Sequence, residues 1–135
     1  MDPSNADELR DFGARYATAW CSGIAASVAA FYQEDGSLQI NGAPPSQGRL
    51  AIAAAAQSFM TAFPGMIVSL DAVYMRGNDA IFQWTLAGTN TGPGGTGRPV
   101  RISGYEQWRF GKTGLIAASQ GHFDEADYHR QLRGQ

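Results

Sequence analysis

The chain has 135 residues, of which 44% are hydrophobic and 16% are charged, with a formal net charge of -2. These values are typical of one folded domain and argue against wholesale disorder. The ten basic residues are nine Arg and Lys112, spread without a basic run, so no nucleic acid is expected as a partner. The single cysteine, Cys21, excludes an internal disulfide framework, and two histidines are too few for a His-rich metal site.

Targeting and cofactor motifs are the next features to consider. The segment from Met1 to Arg10 is polar and acidic, and no apolar run approaches the roughly 20 residues of a membrane helix. We therefore expect a cytoplasmic protein with no membrane partner. No Walker loop, GxSxG or dinucleotide fingerprint occurs, and the Gly-rich stretch 91–97 lies between predicted strands, so no cofactor is predicted.

The first half of the sequence predicts three helices. The first ends at Gly23, a second is expected over 25–32, and the third is expected over 49–63, with a short strand over 37–40 between them. One face of the first helix carries apolar residues at helical spacing: Leu9, Phe12, Tyr16 and Trp20. This spacing alone is more typical of core than of a catalytic Tyr16.

The second half predicts an antiparallel meander and a terminal helix. The strands are expected over residues 66–74, 80–90, 100–110 and 115–123. Asp124 is interpreted as the N-cap of a helix over 124–132. Helices first and a meander second indicate one α+β domain, residues 1–135, in which the helices cover one face of a curved antiparallel sheet.

Glu106 is the informative residue of the strand over 100–110. Strand alternation places it on an otherwise apolar face, with Val100, Ile102, Gly104, Trp108 and Phe110. Because burying a bare charge is costly, this carboxyl must be paired, protonated or functional. Two interpretations stay open: a ligand-facing acid, and an ordinary buried acid that is hydrogen-bonded or paired with an Arg.

The next hairpin determines what lies beside Glu106. A four-residue loop over 111–114 predicts these facing pairs: Trp108 with Ala117, Glu106 with Ser119, and Gly104 with Gly121. Small residues opposite each other would leave space for a pocket, although a glycine pair can equally mark a sheet bend. A one-residue bulge would instead bring Gln120 and His122 inward.

Three segments of the sequence resemble the SnoaL-like domains of the nuclear transport factor 2-like superfamily. They are WTLAGTNTGP at 84–93, similar to W-T-x-x-G-T-x-T-G-P; GYEQWRF at 104–110, similar to G-x-[DE]-x-W-R-F; and the end of the chain from Phe123, similar to [YFW]-D…R-Q-L. The resemblance implies a cone-shaped α+β barrel of the cystatin-like type, with a pocket between helices and sheet. It also implies a homodimer packed through the outer sheet face. The resemblance implies little about the activity of the protein, because proteins with this fold have many different functions.

Two enzyme subfamilies are disfavoured by the residues at matching positions. SnoaL-like polyketide cyclases use an Asp where this chain has Gly121. Limonene-type epoxide hydrolases need an Arg and two Asp residues where this chain has Thr85, Ala87 and Gly121.

A partial resemblance to ketosteroid isomerases is more informative. RYA at 15–17 is similar to R-Y-V of that family, and EQWRF at 106–110 is similar to its D-H-F-R-F. The resemblance implies that Tyr16 and a protonated Glu106 form a two-donor hole for a ligand oxygen. The base Asp of that family falls near Ile40 or Asn41, neither of which accepts a proton.

Together these features indicate a small-molecule pocket protein. We expect proton-transfer chemistry of the isomerase, cyclase or lyase type on an apolar carbonyl or phenolic compound, without a cofactor or metal. The candidate catalytic residues are Tyr16, Glu106 and His122, and the candidate substrate-binding residues are Trp20, Phe59, Trp84, Asn90, Trp108 and Phe123. The alternatives are a non-catalytic binding protein for an apolar metabolite, and a dimerisation or interaction domain.

Overall fold

The computed structural model describes residues 1–134. Its helices are α1 (Ala6–Cys21), α2 (Ala25–Ala29), α3 (Gly48–Ala62) and α4 (Glu125–Leu132). Its strands are β1 (Tyr32–Ile40), β2 (Ser46–Gln47), β3 (Ile67–Arg76), β4 (Asp79–Thr89), β5 (Pro99–Phe110) and β6 (Ile116–Phe123). The order along the chain confirms the α+β class.

The six strands form one sheet in the order β2-β1-β6-β5-β4-β3. We expected an antiparallel sheet closed as a barrel, whereas the sheet of the described residues is mixed and unclosed. β1 runs parallel to β6, and the other neighbours are antiparallel. The parallel pair arises because β1 comes from the helical half of the chain and adds to the free side of the meander.

Helix α1 supplies the inner layer above the sheet. The Asn5 side chain accepts hydrogen bonds from the backbone N–H groups of Asp7 and Glu8, as an N-cap does. The predicted apolar face of α1 is buried in full, and the helix packs against β3. Burial of each large side chain on that face is worth about 2 kcal/mol.

The second helix is shorter than predicted. It ends at Ala29, and Tyr32, which we expected inside it, is the first residue of β1. β1 then bulges at Gly36, where a Cβ would lie only 3.0 Å from the Gln33 carbonyl oxygen and 3.1 Å from that of Ile116. This path turns the fully buried Tyr32 side chain toward the core.

The hairpin between β5 and β6 differs from the predicted register by two residues. The observed pairs are Trp108 with Ser119, Glu106 with Gly121, and Gly104 with Phe123. The loop is longer than predicted because the Gly111 N–H donates to the Leu115 carbonyl oxygen at 2.9 Å. A bulge then leaves Ala117 without a facing residue.

The longer loop and the bulge each displace β6 by one residue relative to the predicted register. Together they shift it by two residues, so each side chain of β6 from residue 118 onward keeps its predicted face. Ser119, Gly121 and Phe123 therefore lie on the same face as Glu106, as predicted, although opposite different partners. His122 lies on the outer face, paired with Tyr105, and the two rings are 5.7 Å apart.

Helix α4 closes one end of the layered structure. The Asp124 side chain accepts from the Asp127 backbone N–H at 3.0 Å, which confirms the predicted N-cap. Tyr128 of this helix packs against Phe63 and Phe123. None of the helices within residues 1–134 is long and apolar enough to cross a membrane.

Candidate functional site

Glu106 points from the centre of β5 into the space between the sheet and the helices. It is 7% exposed, and the residue opposite it on β6 is Gly121. A Cβ at Gly121 would lie 3.6 Å from the Glu106 Cγ, so the missing side chain leaves room beside the acid. Gly104 leaves no such room, because the Trp84 ring lies over it: a Cβ at Gly104 would be only 2.7 Å from that ring.

Four side chains converge on one oxygen of this carboxyl group. Oε1 accepts hydrogen bonds from Ser119 Oγ at 2.8 Å, Trp108 Nε1 at 2.9 Å, Tyr16 Oη at 2.9 Å and Tyr32 Oη at 3.3 Å. They come from β6, β5, α1 and β1, so four separate elements position the acid.

The second oxygen is bonded far less. Within residues 1–134, Oε2 has one partner, the Tyr16 hydroxyl at 3.2 Å, which is shared with Oε1. Because Oε1 is surrounded by donors, Oε2 is the oxygen left to meet a ligand. It can accept a hydrogen bond when Glu106 is ionised and donate one when Glu106 is protonated.

The environment of Glu106 favours its protonated form. Burial raises the pKa of the carboxyl group, and the hydrogen bonds from Trp108, Ser119, Tyr16 and Tyr32 lower it by less, so that the pKa lies above its ordinary value of 4.5. Because donors surround Oε1, the proton lies on Oε2 when Glu106 is protonated.

Tyr16 and Tyr32 share a hydroxyl–hydroxyl hydrogen bond of 2.8 Å next to the acid. Burial, followed by the nearby charge of Glu106, raises the pKa of both phenols well above its ordinary value. Both hydroxyls therefore stay protonated at neutral pH. The Tyr16 proton serves Glu106, so the single Tyr32 proton is shared between the Tyr16 oxygen at 2.8 Å and Oε1 at 3.3 Å, and both phenols support the acid from behind.

Glu106 borders a partly open cavity with about 50 Å³ of free volume between α1, α3 and the sheet. Its aromatic walls are Trp20, Phe59, Phe82, Trp84 and Phe123. The aliphatic residues Ile40, Val68, Leu86 and Ile102 complete most of the lining. A mostly apolar cavity bordered by a few polar groups is the usual form of a small-molecule site.

The predicted site residues divide into two groups. Trp20, Phe59, Trp84, Glu106, His122 and Phe123 border the cavity. Tyr16 and Trp108 are fully buried behind Glu106 as hydrogen-bond donors. The Trp108 ring also stacks on Phe82, with centroids 4.8 Å apart.

Two predicted residues lie in unexpected places. His122 borders the cavity, yet it is exposed and its ring lies with Tyr105 on the outer face. Asn90, which we expected to bind substrate, is not among the cavity-lining residues and instead fixes the Gly-rich loop: it donates to the Ala62 carbonyl oxygen at 3.0 Å and accepts from the Thr96 N–H at 2.8 Å.

Sequence reasoning missed Tyr32 and Ser119 as parts of the site. Tyr32 was assigned to a helix, and the bulge that turns it inward has only Gly36 as a signal. The predicted register places Ser119 opposite Glu106 without assigning it a role, although a hydroxyl beside an inward carboxyl is a potential donor. For a metal, residues 1–134 hold no cluster of three His, Cys, Asp or Glu side chains.

Comparison with solved structures places this fold among known ones. A hypothetical protein with a ketosteroid isomerase-like fold from Catenulispora acidiphila, solved in complex with trimethylamine, superposes with a TM-score of 0.80 at 14% identity, over 91% of this chain and 92% of that one. A proposed SnoaL-like polyketide cyclase from Jannaschia sp. CCS1 gives 0.74 at 13% identity, over 93% and 94%. At such identities the similarity shows the fold, which is ketosteroid isomerase-like.

The sequence itself identifies the family. The SnoaL-like domain profile matches residues 14–119, which is more than half of the chain. No curated protein matches the sequence significantly. The chain therefore belongs to the SnoaL-like domain family of the nuclear transport factor 2-like superfamily, as its sequence motifs predicted.

Proposed function

We propose that this domain binds a small, largely apolar molecule in the cavity and exchanges a proton with it through Oε2 of Glu106. The observation that carries the proposal is the unequal bonding of the carboxyl group. Four donors hold Oε1, whereas Oε2 has only the shared Tyr16 hydroxyl within the described residues. A carboxyl group that borders a mostly apolar cavity, with one oxygen anchored and the other left with a single shared donor, suits general acid–base chemistry.

The reaction class that fits this site is proton transfer next to a carbonyl or phenolic oxygen, of the isomerase, cyclase or lyase type. A protonated Glu106 donates from Oε2 to a carbonyl oxygen, and the ionised form accepts a proton from a phenol or an acidic carbon. Positioned proton transfer of this kind contributes about 10²- to 10⁴-fold in rate. Tyr16 acts here by holding the acid, which differs from the two-donor hole that the isomerase resemblance implies.

Ligand titration tests this proposal. Phenol and toluene are a matched pair of probes that differ by one hydroxyl group, and binding is followed by the fluorescence of the cavity tryptophans. We expect phenol to bind more tightly than toluene, and Glu106→Gln to change this preference. Glu34→Gln, at an exposed glutamate, controls for the lost charge. An unchanged phenol preference in the Glu106→Gln variant would remove Glu106 from the site.

The second candidate is a binding protein without turnover. It is favoured by the absence of a carboxylate at the position of the isomerase base: Ile40 lines the cavity, and the Asn41 side chain accepts from the Phe123 N–H at 3.0 Å. Deuterium exchange into the α-carbons of cyclohexanone in D₂O separates the two candidates. Exchange that depends on Glu106 supports catalysis, and binding without exchange supports the carrier.

A further inference from the structure

The cavity holds a potential negative charge and no positive one. The described ion pairs are Arg15 with Asp11 and Arg130 with Asp127, and all four of these side chains are substantially exposed. No Lys or Arg side chain borders the cavity within residues 1–134. The groups that stabilise an ionised Glu106 are therefore neutral donors, and a full countercharge is missing.

No charged side chain next to Glu106 supplies the missing countercharge. The titratable groups facing the carboxyl are Tyr16 from α1 and Tyr32 from β1, both neutral phenols. Trp108 and Ser119, from the sheet, do not titrate. His122 borders the cavity, but its ring lies on the outer face with Tyr105.

The remaining walls suit a cation. Five aromatic side chains border the cavity: Trp20, Phe59, Phe82, Trp84 and Phe123. Aromatic faces attract cations, and the attraction grows when water is excluded. The cavity is partly open, so its free volume of about 50 Å³ seats part of a ligand while the remainder extends toward solvent.

We propose that this cavity takes a small organic ammonium cation, with its charge beside Oε2 of Glu106 and its alkyl groups against the aromatic walls. The inference rests on the proposed function in one respect: both require Oε2 to be the oxygen that meets the ligand. It goes beyond that function by assigning a charged ligand class.

Proton release follows from the chemistry of the pair. A permanent cation binds best to ionised Glu106, so the proton on Oε2 must leave to solvent when the cation enters a protonated site. Cation binding therefore strengthens as pH rises toward the raised pKa of Glu106 and levels off above it. A neutral ligand of the same shape has no such requirement.

Calorimetric titration with tetramethylammonium chloride tests the proposal, with tert-butanol as a neutral probe of similar shape and size and with ionic strength matched by sodium chloride. We expect the cation to bind at least about tenfold more tightly than tert-butanol. In Glu106→Gln this advantage is lost while tert-butanol binding is retained. Glu34→Gln, which removes an exposed carboxylate, leaves the advantage intact.

A second measurement keeps the test decisive if Glu106→Gln does not fold. Titration of the wild-type protein in two buffers of different ionisation enthalpy gives the number of protons released on binding. We expect close to one proton per cation on the acidic side of the Glu106 transition and none for tert-butanol.

The outcomes separate this inference from the proposed function. Equal affinity for the cation and tert-butanol, or cation binding without proton release, overturns the ammonium ligand. If phenol still binds in a Glu106-dependent manner, the proposed proton exchange stands. If neither phenol nor the cation binds, both proposals fail.

Discussion

Trp108 and Ser119 face each other across β5 and β6, and both donate to the same atom, Oε1 of Glu106, over 2.9 and 2.8 Å. The longer loop and the bulge of the hairpin create this facing pair. The sheet therefore holds the acid by three donors, Trp108, Ser119 and Tyr32, to which α1 adds the Tyr16 phenol. The following predictions concern this arrangement and the surfaces around it.

Removing the Ser119 hydroxyl raises the pKa of Glu106 further, because that hydrogen bond favours the ionised form. The pH dependence of the carboxyl stretching band, followed by infrared difference spectroscopy, measures the change in Ser119→Ala. Ser103→Ala is the control, since Ser103 is exposed and bonds to Thr85 on the other face. A Glu106 transition at the same pH in Ser119→Ala and the wild type contradicts this role.

Replacing Glu106 by Gln changes how stability depends on pH. Because the folded pKa is raised, the native state keeps a proton that the unfolded chain has lost, so this group destabilises the fold as pH rises from about 4.5 toward the folded value. We expect Glu106→Gln to gain stability relative to wild type across that window, by up to about 1.4 kcal/mol per pH unit. Urea unfolding at a series of pH values measures it. A constant difference between the two proteins would argue that burial does not raise this pKa.

Tyr16 and Tyr32 act as one unit, because their hydroxyls bond each other over 2.8 Å and both reach Oε1. We expect Tyr16→Phe and Tyr32→Phe each to lower the free energy of unfolding by about 1–3 kcal/mol. The double variant should deviate from the sum of the two by about 0.5–3 kcal/mol. A double-mutant cycle from chemical denaturation checks this coupling, and strict additivity would show that the phenols act independently.

The two glycines nearest the acid respond differently to an added methyl group. A Cβ at Gly121 meets only ordinary contacts, at 3.5 Å or more, so Gly121→Ala should fold normally but fill space beside Glu106 and weaken phenol binding. A Cβ at Gly104 would overlap the His122 carbonyl oxygen and lie only 2.7 Å from the Trp84 ring, and because backbone must move, Gly104→Ala should lose at least about 1–3 kcal/mol of stability. Thermal unfolding and phenol titration of both variants test the contrast. Equal behaviour of the two would mean that the space beside Gly121 is not the ligand site.

The homodimer that we expect from the family resemblance places the outer sheet face against a second copy. That face carries a groove lined by Gln39, Asn41, Tyr105, Gln107, Gln120 and His122. Tyr105 is 41% exposed at its centre, so Tyr105→Arg should shift a dimer toward monomer without altering the cavity. Sedimentation velocity measures the shift, with Arg76→Ala at a hairpin end as the control. A wild-type protein that is monomeric at high concentration removes this expectation.

Residue patterns predicted much of the site. Alternation in β5 was enough to turn Glu106 and Trp108 inward, because only one face of that strand is apolar. The spacing in α1 predicted that Tyr16 and Trp20 are buried together. Phe59, Trp84 and Phe123, which the sequence analysis proposes as substrate-binding residues, border the cavity, and their role in binding stays a prediction.

The parts that were missed depend on backbone details that a single sequence does not display. Tyr32 reaches the acid only because β1 pairs in parallel with β6 and bulges at Gly36. The register of the last hairpin depends on one hydrogen bond, from Gly111 to Leu115, which adds a residue to the loop. The sequence does not predict that Trp108 donates a hydrogen bond to Glu106. An indole N–H that meets a carboxyl group has the same sequence pattern as one that only packs in the core.

The unpaired Ala117 has a consequence for how this chain tolerates length changes. Deleting that residue alone would remove the bulge, so that Ile116 and Ala118 follow each other opposite Phe110 and Arg109, and every later residue of β6 would keep its present partner and face. Deleting a residue further along β6 would instead slip the residues beyond it by one and exchange the inner and outer faces of the strand. A change of length by one residue is therefore tolerated at this position and not in the paired part of the strand.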